Sequence, residues 1–64
     1  MTKEFHLKSW RVVPGGGKDK AGNPRGFSIE RRKGGRWTSQ WFRTDFDEAV
    51  QIVKDTVYLG KSPR

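Results

Sequence analysis

Indole rings and guanidinium groups crowd one short stretch of this chain: Arg32, Arg36, Trp37, Trp41 and Arg43. Arginine can fork two hydrogen bonds onto a guanine edge or neutralise a phosphate. Tryptophan stacks on unpaired bases, contributing about 1–3 kcal/mol per base. Together these side chains have the chemistry of a nucleic-acid surface, to which Ser39 and Lys33 add polar and cationic groups. Lys18, Lys20 and Arg25, earlier in the chain, would extend that surface along a phosphate backbone.

The same side-chain types suit a protein interface, because Trp and Arg are enriched at energetic hot spots. Two function classes therefore compete. One is a small basic nucleic-acid-binding protein, with DNA favoured. The other is a small protein-binding module, such as a phage-type inhibitor that docks a Trp/Arg face on an acidic partner. The Trp face would also serve a homodimer. Salt separates the two classes, since phosphate binding weakens steeply with ionic strength and a Trp-centred protein interface does so much less.

An enzyme is not expected. General acid–base catalysis needs paired groups in a cleft, and a 64-residue domain has little room for one. The single histidine, His6, excludes a multi-histidine metal site, and the absence of cysteine excludes disulfides and thiolate sites. Gly15-Gly16-Gly17-Lys18 departs from the phosphate-binding loop of nucleotide hydrolases, because Asp19 stands where a Ser or Thr is needed and no helix begins. No cofactor, metal ligand or catalytic residue emerges.

Net charge is +7, and it is unevenly placed. Residues 1–43 hold eleven of the fourteen Lys and Arg against Glu4, Asp19 and Glu30. Residues 44–64 hold Lys54, Lys61 and Arg64 against Asp45, Asp47, Glu48 and Asp55. A field of this asymmetry concentrates polyanions at one part of a surface. Apolar runs reach only two or three residues, so neither a membrane span nor a signal-peptide core is expected. A cytoplasmic protein is the default, nucleoid-associated or in the host cytoplasm if phage-encoded.

The elements that must position these groups can be read from the pattern. Gly34-Gly35 separates two runs of strand character and marks a two-residue primed turn. Such a turn pairs Lys33 with Arg36, Arg32 with Trp37, Glu30 with Ser39, Ser28 with Trp41 and Phe27 with Phe42. Directly paired residues share a face. One face then carries Phe27, Ile29, Thr38, Gln40 and Phe42, and the other Arg32, Trp37, Ser39 and Trp41, with Arg43 at its edge. Residues 4–13 read as a further strand whose alternation slips after Leu7. A bulge near Lys8-Ser9 would bring Trp10 to the core, and without one Trp10 joins the other tryptophans. Residues 14–26, rich in glycine, read as a long loop.

A helix is expected over about 45–59. Thr44 or Asp45 caps it, Asp47 and Glu48 complement its dipole, and Phe46, Ala49, Val50, Val53 and Val57 recur on one face. Gly60 stops it, and 61–64 form a short tail. The expected fold is α+β: a three-stranded antiparallel sheet (about 4–13, 26–33, 36–43) backed by one C-terminal helix in a single domain over 1–60. A domain this small buries about 60% of its unfolded surface, so its stability margin is narrow.

Strand, tight turn and strand, followed by Phe42-Arg43-Thr44 leading into Asp47-Glu48-Ala49-Val50, resembles the three-strand-plus-helix DNA-binding domains. These are the arm-site-binding domains of tyrosine-recombinase integrases and the plant ethylene-response-factor domains. The resemblance covers roughly residues 27–59. It implies that the sheet enters the major groove, with base or phosphate contacts from Arg32, Arg36, Trp37, Ser39, Trp41 and Arg43. The chain is also similar to a single repeat of the purine-rich-element-binding (Pur) proteins, which implies single-stranded binding and a dimer. Strandedness stays open between these readings.

Overall fold

The computed structural model describes residues 3–62. Its elements are β1 (Phe5–Leu7), β2 (Trp10–Lys18), β3 (Pro24–Lys33), β4 (Arg36–Arg43) and α1 (Phe46–Leu59). The fold is α+β, with one antiparallel sheet in the order β1-β2-β3-β4 backed by the C-terminal helix. It has four strands where three were expected. The expected first strand divides at Lys8-Ser9, where the chain turns so tightly that Leu7 pairs with Trp10. The slip in alternation after Leu7 marks this reversal rather than a bulge.

That turn carries a cost that a test can expose. Lys8 is held at φ 54°. Left-handed geometry costs a residue with a Cβ about 1–2 kcal/mol, and glycine's extra unfolded-chain freedom offsets roughly 0.5–1 of that. Lys8→Gly is therefore expected to raise stability by about 0.5–1 kcal/mol in urea unfolding. A loss of stability would show that the Lys8 side chain has a favourable role that its exposure does not suggest.

Residues 14–26 are mostly paired rather than looped. β2 runs on through the glycines to Lys18, β3 begins at Pro24, and Gly15 pairs with Gly26. Only Asp19 to Asn23 connect the two strands. The Asp19 carboxylate closes this turn, accepting from the backbone N–H of Ala21 and of Asn23 at 2.9 Å each. These bonds add to two backbone ones across the turn, Asp19 N–H to Asn23 O at 2.8 Å and Gly22 N–H to Asp19 O at 3.1 Å.

The core lies between one sheet face and the helix. Val12, Phe27 and Ile29 from the sheet and Ala49 and Val53 from the helix are buried. Phe5, Leu7, Phe46, Val50, Ile52 and Val57 pack around them. Phe27 and Phe46 meet edge to face, with centroids 5.0 Å apart. Asp45 caps the helix and accepts from the Asp47 N–H, while Gly60 ends it at φ 67°. The expected tail lies partly outside the described residues, since 63–64 are not among them.

The β3–β4 register corrects the expected faces. From the Gly34-Gly35 turn it runs as anticipated: Lys33 with Arg36, Arg32 with Trp37, Glu30 with Ser39. The next pair is Ile29 with Trp41, so Gln40 is an extra residue and β4 bulges. Past a bulge every side chain changes face. Trp41 therefore joins the core side and Phe42 leaves it. Trp10 is also on the core side, where its ring stacks on Trp41 at 5.5 Å with planes 1° apart.

Candidate nucleic-acid interface

The sheet face turned away from the helix is open, as antiparallel sheets allow. Arg11 on β2, Glu30 on β3 and Ser39 on β4 form one row across it. Arg11 Nε donates to Glu30 Oε1 at 2.6 Å. The Arg11 guanidinium also lies over the Trp37 ring, 4.3 Å from its centroid. A carboxylate therefore fixes the guanidinium, and the guanidinium covers one face of the indole. Ser39 is also linked to Ser28, in the neighbouring row, by a hydrogen bond of 2.7 Å.

Further along the face, Phe42 reaches across β3 toward β2. A Cβ on Gly16 would stand 2.9 Å from its Cζ. A Cβ on Gly26 would stand 2.8 Å from its Cε1 and nearer still to its Cζ. The ring rests on backbone where any side chain would collide with it, and Phe42 remains 43% exposed.

The basic residues gather at both ends of this face. Leu7 pairs with Trp10 and Trp10 with Arg31, which sets the Lys8-Ser9 turn beside the Gly34-Gly35 turn. The Arg32 N–H donates to Ser9 O at 2.7 Å and ties the two together. Lys8, Arg32, Lys33 and Arg36 are exposed at that end. Lys18, Lys20 and Arg25 are exposed at the other, around the Asp19–Asn23 turn.

Of the residues expected in the site, Trp37, Ser39 and Arg32 share the open face. Lys33, Arg36, Lys18, Lys20 and Arg25 flank it at the two ends. Trp41 does not belong to it, for the reason of register given above. Arg43 pairs with Phe27 and so lies on the helix side, where its Nε faces Glu48 Oε1 at 3.4 Å and its Nη1 donates to Phe42 O at 2.7 Å. Arg11 and Phe42 are the two members that sequence reasoning missed. Alternation with buried Val12 marks Arg11 as outward-facing. Gly26 is the trace that Phe42's position leaves in the sequence; Gly16, beneath the same ring, is also required by its own φ of 75°.

Among the described residues no group of acidic or histidine side chains could hold a metal ion. No helix there is long and apolar enough to cross a membrane. His6 stands on the open face with Nε2 at 3.3 Å from Glu4 Oε1, both side chains exposed. No family model, curated protein or solved structure matches this chain.

Proposed function

We propose that this protein binds nucleic acid, with DNA favoured, along the open face of its sheet. One observation carries the reading: exposed cations stand at both ends of a face whose middle holds aromatic rings and a fixed guanidinium. A backbone laid along the strands would meet phosphate partners at each end and ring surfaces between them. The helix acids support the same polarity, because Asp45, Asp47, Glu48 and Asp55 belong to the opposite layer. The resemblance to sheet-reading domains favours DNA over RNA. Such a protein would act where the nucleic acid is, in the cytoplasm or the nucleoid.

The test is affinity for a short oligonucleotide as a function of salt. If four to five phosphates of a single strand are neutralised, log K falls against log[salt] with a slope of roughly −3. Arg32→Ala is expected to reduce that slope by about one contact. Arg43→Ala is expected to leave it unchanged, since that guanidinium is turned to Glu48. An affinity indifferent to salt, or an effect confined to Arg43, would point instead to an acidic protein partner for the Trp/Arg surface.

A further inference from the structure

We propose that Phe42, seated on its glycine floor, is a stacking seat for one unpaired base, which makes single-stranded nucleic acid the ligand of the open face. The proposal rests on the nucleic-acid reading above and narrows it.

Phe42 is the large apolar side chain most exposed on this face. Among the described residues the other exposed large apolar ones, Tyr58 and Leu59, lie at the end of the helix. A lone exposed phenylalanine is unremarkable on any surface, but this one has a built support. Gly26 is buried and has no positive φ, so its backbone would accept a Cβ. What excludes a side chain there is the Phe42 ring itself, together with Arg43 O at 2.9 Å. Gly16 clears a second part of the ring's floor. The ring is thereby held against main chain on one side and left open on the other.

Trp37 differs in the respect that matters for stacking. One of its faces already carries the Arg11 guanidinium, which Glu30 clamps in place. Among the described residues no cation or aromatic ring covers Phe42. Arg25 is exposed and precedes Gly26 in β3, so a basic residue lies one position along the strand from the ring's floor. An incoming base would find a bare ring.

The lie of the ring decides the strandedness. Stacked base pairs offer no free ring face to a seat lying flush with the sheet, whereas an unpaired base can turn onto it. A single strand meets no such obstacle.

The experiment is fluorescence anisotropy at low salt with labelled oligothymidine and with a blunt duplex, using the wild type, Phe42→Leu and Phe42→Tyr. Leucine keeps an apolar group over the glycines and removes the ring face. Oligothymidine is expected to bind tighter than duplex. Phe42→Leu should weaken it about tenfold or more, with melting temperature and salt slope unchanged, while Phe42→Tyr stays near wild type. Wild-type affinity in Phe42→Leu, or a wild type that prefers duplex, overturns the seat and leaves nucleic-acid binding standing. No binding of either probe by the wild type overturns the parent reading and the seat with it. If the leucine variant fails to fold, the wild type is compared on oligothymidine and on an abasic chain of equal length. Loss of about tenfold without the bases supports the seat, and equal affinity overturns it.

Discussion

Trp41→Ala is expected to destabilise the domain by about 3 kcal/mol, whereas Trp37→Ala leaves it folded. The two tryptophans look alike in sequence, and only the bulge at Gln40 separates them. Trp41 packs against the core beside Ile29 and stacks face to face on Trp10. Its removal loses buried apolar area, and it also ends an aromatic pair worth about 0.5–1.5 kcal/mol beyond that area. A 64-residue chain has a narrow reserve, since stability near 0.1 kcal/mol per residue is typical. The variant should therefore be largely unfolded at temperatures the wild type tolerates. Trp37 has its main contact with an arginine on the solvent side, so its loss should alter binding more than folding. Circular dichroism melts of both variants make the check. Equal melting of Trp41→Ala and wild type would place the bulge elsewhere and restore the simple register.

Gly26→Ala is the second substitution with a large expected effect, about 1–3 kcal/mol of destabilisation. The reason is crowding rather than backbone geometry. The new methyl would meet the Phe42 ring and also Arg43 O, which belongs to the backbone and cannot swing away. The ring can rotate outward, so part of the strain is relieved at the expense of its seat. A double-mutant cycle with Phe42→Ala separates the two contacts. In that background Gly26→Ala should cost less by roughly 0.5 kcal/mol or more, a coupling typical of residues in contact, yet not fall to zero while Arg43 O remains. Independent, additive effects would mean that the ring does not lie over Gly26.

Much of this architecture is legible in the chain, and the parts that are not have physical reasons. The helix is announced by its own residues: Asp45 at the cap, the spacing of Phe46, Ala49, Val53 and Val57, and Gly60 at the end. These signals are local, and local signals survive without knowledge of the partner. The Gly34-Gly35 turn is equally local, and it sets the register correctly as far as Glu30. Beyond that point Trp41 and Phe42 are adjacent, bulky and apolar, and either can fill a core position. What chooses between them is distant in sequence: Trp10 offers Trp41 a stacking partner on one side, and Gly16 and Gly26 clear a place for Phe42 on the other. The reversal at Lys8-Ser9 is hidden for a different reason. It uses a lysine at positive φ where Asn or Gly would have given notice. Arg32, Trp37 and Ser39 keep their expected face because they precede the bulge; Trp41 and Arg43 take the other face because they follow it.

The extra residue at Gln40 bears finally on how the molecule behaves in a crowd of its own kind. β4 is an outermost strand, eight residues long, and a regular outer strand is a template on which another chain can add itself. Gln40 breaks the even beat of N–H and C=O groups near the middle of that rim and increases its twist. Arg36 and Arg43 stand at its two ends, so an antiparallel neighbour in register would set arginine against arginine. The opposite rim is β1, three residues long, continued by the outer edge of β2, where Pro14 has no N–H to offer and Gly16 and Gly17 stand at positive φ. The irregularity that sends Trp41 inward and Phe42 outward thus also discourages edge-to-edge polymerisation of a small domain whose sheet is bare on one side.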